Sequence, residues 1–227
     1  MLTASFTENT ISVAMYNLPH FKEQDQQVVI DFIHHHPFAF FIGATPEGKP
    51  VATQVPVFIE EREEKLYLTG HIQRKSDHYK AMEANPQVLC VFSGAHSYVS
   101  ASWYSDPHQA STWNYQSVHV RGKATFLNEE ALIEILKKLT LHYENGNTQS
   151  PTVFDNLPEE YRSKLMKAIV AFEVEVEEIE NVFKLSQNRD KESYQHIINK
   201  LEDQDAEGKA IAEEMKKRKS QLFNLDK

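Results

Sequence analysis

Residues 38–60 read FAFFIGATPEGKPVATQVPVFIE, and this stretch decides the fold. Its apolar residues fall into two short runs, which is typical of strands rather than of a helix. Pro46 and Gly48 give the intervening TPEGKP the chemistry of a tight turn. A charged hairpin, EEREE, then leads into KLYLTGHI, a third strand that ends at Ile72. Residues 38–72 are therefore predicted to form an antiparallel meander.

Helices are predicted on both sides of this meander. Upstream, apolar residues at helical spacing predict a helix over residues 23–35, and Pro37 ends it. Three consecutive histidines, 34–36, fall at the C-terminal end of this helix, where their charge suits the helix dipole. We interpret them as solvated residues rather than as a tag or a metal site. Downstream, SDHYKAMEANP predicts a short helix that Ser76 or Asp77 caps.

The rest of the chain alternates strands with helices. Gly94 interrupts the first of the strands, and the chain beyond Asn188 is charged and helical. Antiparallel strands with helices gathered outside them favour an α+β fold built on a small barrel. The predicted elements are strands at residues 87–104, 115–127 and 170–186 and helices at residues 129–144 and 158–169.

The composition restricts the classes of function. The 227 residues carry a formal net charge of −9, which disfavours a protein that coats nucleic acid. No apolar run approaches the length of a membrane span, and the N-terminus has no recognisable secretion signal. The single cysteine, Cys90, lies in VLCVF and is interpreted as a small buried residue rather than as a nucleophile. These features predict a cytoplasmic protein without a membrane anchor.

An anion-binding site is predicted between the third strand and the short helix. The stretch TGHIQRKSDHYK offers hydroxyls, histidines and the basic residues Arg74, Lys75 and Lys80 just before a helix N-terminus. The backbone amides at such an end are unpaired and favour an anion, and a phosphate monoester is the natural guest. A solvated surface turn is the alternative interpretation of the same residues.

Both tryptophans of the chain fall near one polar stretch, STWNYQ. Trp113 lies inside it, and Trp103 lies a short distance upstream. The amide side chains of Asn114 and Gln116 carry donors and acceptors, and aromatic rings offer flat apolar faces, so this mixture suits a heterocyclic ring. A phosphate at one site and a planar ring at the other indicate a nucleotide-like cofactor. Either tryptophan could instead belong to the core or to a subunit interface.

Several stretches occur together, in this order, in one known family. MYNLPHF, PVATQVPVFI, LYLTGHIQR, SGAHSYVSASWY and TWNYQSVHVRGKA resemble the PaiB-type negative transcriptional regulators, which belong to the FMN-binding split-barrel proteins. The resemblance extends from Met15 to Ser186. It implies an α+β fold, a six-stranded antiparallel split β-barrel with peripheral helices. It further implies a homodimer that holds FMN in grooves at the subunit interface.

A more distant likeness to pyridoxamine-phosphate oxidases suggests where FMN lies. QRKSDHYKAMEANP is similar to the stretch that holds the FMN phosphate in those enzymes, although it is a few residues longer. YQSVHVRG is similar to a strand whose Gln approaches the flavin from the partner subunit, with Gln116 one residue out of register. Thr53 stands where a strand of those enzymes carries Arg, so their oxidase activity is not expected to accompany the fold. The residues expected to bind FMN are Thr53, Gln54, Val55, Thr69, Gly70, His71, Arg74, Lys75, Ser76, Trp113, Asn114 and Gln116.

The resemblance also implies a function. The main hypothesis is an FMN-binding dimer that acts as a negative regulator of gene expression, although direct DNA binding is doubtful at this net charge. The alternative is a flavin-dependent oxidoreductase, a flavin reductase or oxidase that acts on a small substrate. A haem-binding relative, with His96 or His108 as axial ligand, is a third interpretation. No catalytic residue is assigned and no metal site is expected.

The chain is expected to divide into three parts. Residues 1–14 would be an N-terminal extension, because the resemblance begins at Met15. Residues 15–187 would form the split-barrel domain, and residues 188–227 would form a C-terminal helical tail.

Overall fold

One antiparallel sheet organises the structure, a computed structural model that describes residue 16, residues 18–106 and residues 108–223. The strands are β1 Phe38–Ala44, β2 Pro50–Pro56, β3 Phe58–Arg62, β4 Lys65–Gln73, β5 Gln87–Val99, β6 Thr112–Phe126 and β7 Ile169–Lys184. Over the described residues they lie in the order β2-β1-β5-β6-β7-β4-β3. The predicted fold class, an α+β split barrel with helices outside the sheet, is confirmed. The predicted N-terminal extension lies outside the described residues.

The structure corrects two details of the predicted strands. The described chain has seven strands rather than six, because residues 50–62 form β2 and β3 with a break at Val57. The N–H of Val57 donates to the carbonyl of Pro37 at 2.9 Å and does not join the ladder between neighbouring strands. The interruption predicted at Gly94 does not end a strand, since β5 continues through it with a bulge.

Six α-helices surround the sheet in the described residues, and local capping explains where several of them begin. The carboxylate of Asp25, the hydroxyl of Ser76 and the amide oxygen of Asn128 each accept a backbone N–H of the first turn that follows. None of the helices in the described part of the chain combines the length and the apolar composition that a bilayer crossing requires. The helices are α1 Gln26–His35, α2 Asp77–Ala84, α3 Glu129–Tyr143, α4 Glu159–Ala168, α5 Lys191–Glu202 and α6 Ala206–Phe223.

The core lies inside the curled sheet. Phe41 and Phe172 stack at 4.5 Å between ring centroids and are at most 1% exposed. Burying a side chain of this size contributes about 1.5–3 kcal/mol. Cys90 is buried among them, as predicted, and burial raises the pKa of its thiol, which makes the thiol a poor nucleophile. The main core is therefore apolar and chemically inert.

The C-terminal helices belong to the same core. Tyr194 of α5 and Met215 of α6 are fully buried in the cluster that contains the barrel side chains. The Tyr194 hydroxyl donates to the backbone carbonyl of Met215 at 2.9 Å, which joins the two helices. Packing alone thus places residues 191–223 against the barrel, and the proposed boundary after residue 187 stays a prediction.

Gly122 marks the closest approach of two strands. A Cβ at this position would lie 2.1 Å from the carbonyl oxygen of Glu175 and 2.7 Å from a side-chain carbon of Val174. The pairing of β6 with β7 shifts register at this point, between Arg121 and Gly122. Such a bulge bends a sheet and increases its twist, so it helps the sheet to curl into a barrel.

We predict that Gly122→Ala destabilises the protein by about 2–4 kcal/mol, because the added methyl group meets backbone that cannot move aside. Gly43→Ala is the matched control in β1, since its Cβ would meet side chains at an ordinary 3.8 Å. Urea unfolding of both variants measures the difference. Equal stability of the two variants would show that β6 and β7 separate easily at this point.

Candidate functional site

The sheet has a gap between β2 and β4. β3 pairs with β4 only as far as Thr69, so Gly70–Gln73 of β4 pair with β7 alone in the described chain. β2 is the other edge of the sheet and pairs only with β1 among the described strands. At the closed end of the gap, a Cβ on Gly70 would lie 3.0 Å from the carbonyl oxygen of Pro56. We call this gap the β2–β4 slot.

Most of the predicted cofactor-binding residues lie along this slot or at its end. Gln54 is exposed, whereas Val55 is 8% exposed and points into the core, so only the backbone of Val55 can meet a ligand. Alternation along a strand explains the difference, because neighbouring residues point to opposite faces. Nine of the predicted residues lie on the two strands that border the slot or on the turn after β4: Thr53, Gln54 and Val55 of β2, Thr69, Gly70 and His71 of β4, and Arg74, Lys75 and Ser76 of the turn.

Lys75 is the basic side chain that the turn leaves free. Arg74 is committed elsewhere, because its Nε donates to the carbonyl of Ile169 at 2.8 Å. The Ser76 hydroxyl is also committed, since it accepts the N–H of Tyr79 at 3.2 Å as the cap of α2. Lys75 is exposed at the turn, with a φ of +65°, and forms no ion pair with any residue of the described chain.

The N-terminus of α2 offers an anion fewer free backbone N–H groups than the sequence suggests. The N–H of His78 donates to the side chain of Asp77 at 2.8 Å, and this bond lowers the pKa of that carboxyl group. The N–H of Tyr79 is bound by the Ser76 cap. The anion site that remains consists of the Lys75 ammonium group and the N–H of Asp77.

His71 carries a buried ring nitrogen without a partner. Its Nδ1 is inaccessible and forms no hydrogen bond within the described chain. His71 lies opposite Ala171 of β7, and Ala171 packs beneath α3, which explains the burial. Burial lowers the pKa of His71, so the imidazole is neutral near pH 7. A buried polar atom without a partner is costly.

The three predicted residues of β6 lie apart from the slot. Trp113 is 52% exposed and points outward, whereas Asn114 is fully buried on the opposite face. The Asn114 side chain accepts from the Ser186 hydroxyl at 3.0 Å and contacts the Met215 sulfur at 3.5 Å. These partners satisfy its amide in the core. Gln116 points to the same inner side as Asn114, with 5% exposure.

An apolar surface covers the outer face of β1 next to the slot. Phe38 and Phe40 are 59% and 42% exposed, and Phe40 lies directly opposite Gln54 of β2. Val91 of β5 and then His119 of β6 continue the same row across the sheet. These phenylalanines were not among the predicted binding residues. The sequence did indicate an apolar outer face, because the run FAFF is apolar at successive positions and must therefore be apolar on both faces of a strand.

The remaining histidines do not form a metal site. The described part of the chain contains no cluster of three side chains that could hold a metal ion. His96 and His108, the two axial ligands considered for haem, are both exposed. His119 is half-buried, and burial lowers the pKa of its imidazole.

The slot fits the expected FMN. Lys75 and the N–H of Asp77 suit a phosphate group. The exposed amide of Gln54 suits the polar groups of the rest of the cofactor. FMN supplies electron and hydride transfer when it is bound, and the residues named here would bind and orient it.

Comparisons with known proteins support the family and the cofactor. A family model described as "Putative FMN-binding domain" matches residues 15–178. The chain is 34% identical over 191 residues to the Protease synthase and sporulation protein PAI 2 of Bacillus subtilis, which covers 84% of this chain and 91% of that relative. These matches confirm the resemblance and the FMN cofactor that the motifs implied.

Solved structures share the fold at low identity. An FAD and haem binding protein of Mycobacterium smegmatis aligns with a TM-score of 0.55 at 18% identity, over 72% of this chain and 73% of that one. A conserved hypothetical protein of Mycobacterium tuberculosis aligns with a TM-score of 0.52 at 13% identity, over 72% of this chain and 88% of that one. At such identities the likeness supports the split-barrel architecture alone.

We predict that His71 makes stability depend on pH. Because the folded state lowers its pKa below the ordinary value of 6.5, the unfolded state binds the proton more readily. The contribution of neutral His71 to the free energy of unfolding is therefore complete above the pKa that this residue has in the unfolded state. It is lost as the pH falls below that value. Urea midpoints at about pH 7.5 and about pH 5.5 should differ less in His71→Gln than in the unmodified protein. His34→Gln, an exposed histidine of α1, is the control, and an unchanged pH dependence in His71→Gln would contradict the prediction.

Proposed function

Since the chain belongs to the PaiB-type family of FMN-binding proteins, we propose that two copies of it build each flavin site together. One copy supplies the β2–β4 slot, with Lys75 at the phosphate end. The second copy supplies Trp113, which covers the flavin ring. The protein thus acts as a homodimer with two equivalent sites.

The separation of the predicted residues carries this proposal. Gly70 of the slot lies opposite Phe172 of β7, whereas Gln116 lies opposite Phe183, near the other end of the same strand. The path along β7 between these two positions is roughly 36 Å at about 3.3 Å per residue. Trp113 lies farther still toward that end. A single FMN is much shorter than this path, so the two groups of residues meet only across two chains.

The outer face of β1 is a suitable surface for the second copy. Phe38 and Phe40 expose aromatic rings beside Gln54 of the slot, and half-buried Val91 extends the apolar area. Exposed aromatic residues grouped on one face are typical of an interaction surface. A partner that packs on this face would also border the slot.

Trp113 is suited to the role of a ring cover. It is the most exposed large aromatic side chain of β6, and its ring lies 5.9 Å from that of Tyr98, which is itself 46% exposed. Two exposed aromatic rings at one strand end form an apolar platform, against which a flavin ring can pack. In one chain this platform faces solvent.

We predict that mixing two defective variants restores FMN binding. Lys75→Ala removes the phosphate contact and Trp113→Ala removes the ring cover, so each alone should weaken FMN binding more than tenfold, about 1.4 kcal/mol. After the two variants are unfolded and refolded together, each mixed dimer contains one intact site. About a quarter of all sites should then bind FMN tightly, as flavin fluorescence titration measures.

Lys80→Ala is the control, because Lys80 is an exposed lysine of α2 a short distance from the turn. In a mixture of Lys80→Ala with Trp113→Ala, every chain has an intact slot. A site should therefore bind FMN tightly only where the slot meets Trp113 of a Lys80→Ala chain. If Lys75→Ala and Trp113→Ala show no recovery on mixing although light scattering finds dimers, each site lies within one chain. A monomer that binds FMN tightly would refute the shared site altogether.

We propose a regulatory rather than an enzymatic role for this dimer. The relative in Bacillus subtilis is named for protease synthesis and sporulation, and we extend a role in gene expression to this chain. The net charge of −9 is unfavourable for direct DNA contact, so regulation would proceed through a partner protein or through the redox state of FMN. The oxidoreductase alternative gains no specific support from the sequence, which carries no G-x-G-x-x-G motif for a dinucleotide.

We predict that NADH and NADPH do not reduce the bound flavin within minutes. The expected observation is unchanged flavin absorbance in anaerobic solution with either nucleotide, because the sequence carries no G-x-G-x-x-G motif for a dinucleotide. Dithionite is the control, since it should bleach the same sample and so show that the flavin is reducible. Rapid bleaching by either nucleotide would favour a flavin reductase and contradict the regulatory proposal.

A further inference from the structure

Lys184 is a half-buried lysine at the end of β7 that forms no ion pair with any residue of the described chain. Its Nζ donates to the hydroxyl of Thr112 at 2.6 Å. The same nitrogen lies 5.2 Å from the ring centroid of Tyr16 and 5.6 Å from that of Phe21, where cation–π attraction holds it. A hydroxyl and two rings thus fix the ammonium group, but none of them neutralises its charge.

The strand register places Lys184 beside Trp113. Lys184 pairs with Tyr115 of β6, and Trp113 lies two residues before Tyr115 on the same outer face. Lys184 and Trp113 are therefore diagonal neighbours, which in an antiparallel pair lie roughly 7–8 Å apart, within reach of long side chains. The bond to Thr112 draws the ammonium group toward this end of β6.

The opposite side of Trp113 carries a histidine with an acidic neighbour. The rings of His96 and Trp113 lie 5.9 Å apart, and Nδ1 of His96 lies 3.6 Å from a carboxylate oxygen of Glu207. The backbone N–H of His96 donates to the same carboxylate at 3.0 Å. Glu207 thus offsets positive charge at His96, whereas no ion pair in the described chain offsets the charge of Lys184.

A positive charge beside a flavin ring changes the equilibrium between the oxidised and reduced forms of the ring. The oxidised ring is uncharged. Uptake of two electrons and one proton gives a reduced ring with one negative charge, which a nearby cation stabilises. The same cation interacts far less with the uncharged oxidised ring. A fixed ammonium group therefore raises the midpoint potential of the flavin.

We propose that Lys184 of one copy tunes the redox potential of the FMN that lies in the slot of the other copy. This inference rests on the shared site proposed above, in which Trp113 of one copy covers the flavin ring held by the other. Lys184 then lies at the edge of that ring, where its charge favours reduced FMN. Lys75 contacts the phosphate group, which is the same in both forms, so the two lysines have separate roles.

Spectroelectrochemical titration of the FMN-loaded protein measures this effect. The midpoint potential of FMN in the unmodified protein should be more positive than that of free FMN in the same buffer. Lys184→Met keeps the length of the side chain but removes the charge, so it should weaken the preference for reduced over oxidised FMN about tenfold. For a two-electron couple this is a shift of about 30 mV toward negative potential. Fluorescence titration should find that the Kd of oxidised FMN changes by less than about threefold.

Three further variants separate the charge from the packing of the side chain. Lys184→Gln is neutral but can still donate to Thr112, and it should shift the midpoint potential as Lys184→Met does. Lys184→Arg keeps the charge and should leave the potential unchanged. Lys123→Met is the matched control, because Lys123 is exposed on the same face of β6, ten residues from Trp113. The proposal fails if FMN in the unmodified protein has a lower potential than free FMN, if both neutral variants leave the potential unchanged, or if Lys184→Arg shifts it as far as they do.

Mixed dimers show whether the lysine acts across the two copies. Lys184→Met chains are refolded with a roughly tenfold excess of Lys75→Ala chains, so that nearly every intact slot meets an unmodified Lys184. With FMN limited to the number of intact slots, the midpoint potential should return to that of the unmodified protein. A potential that stays shifted would mean that Lys184 acts within its own chain, which contradicts the shared site. If instead Lys75→Ala and Trp113→Ala recover FMN binding on mixing but Lys184→Met causes no shift, the shared site stands and the role of Lys184 is wrong.

Discussion

The site depends on one feature of the backbone, namely that β2 and β4 lie side by side without pairing. β4 runs beside β3 as far as Thr69 and then continues with β7 alone. Pro56 contributes to this separation, because proline has no N–H to donate to a ladder. Val57, the next residue, turns its N–H to Pro37. The slot is thus an opening built into the backbone, and the side chains proposed to bind the cofactor are placed by strands that the rest of the barrel holds in position.

The two faces of β6 have different roles for one geometrical reason. Its residues alternate, so Trp113 points outward while Asn114 and Gln116 point inward toward the C-terminal helices. The polar stretch that looked like one binding motif is therefore divided. Trp113 remains available to a second chain, Asn114 is a satisfied core residue, and Gln116 borders the opening between α1 and α6. A motif that is continuous in sequence can contribute to three different environments when it forms a strand.

The C-terminal helices explain why the barrel has polar residues on its inner side. A closed barrel would fill that side with apolar side chains, but here α5 and α6 cover one end of the sheet. Ser97 of β5 donates to Gln204 between α5 and α6, and Asn114 of β6 donates to the sulfur of Met215 in α6, so polar groups help to fix the position of these helices against the strands. These contacts make residues 191–223 a structural part of the protein.

The sequence by itself determined the fold class, because strand alternation, turn residues and helix caps are local signals, and the family motifs identified FMN. It also predicted an anion site, since the basic turn at Lys75 and the strand that contains His71 are adjacent along the chain, and that site stays a prediction. Only the tertiary structure decided which side chains are free. Arg74 is bound to a carbonyl of β7, Val55 faces the core, and Phe40 is exposed. Those outcomes depend on contacts between residues far apart in sequence, and no local pattern specifies such contacts.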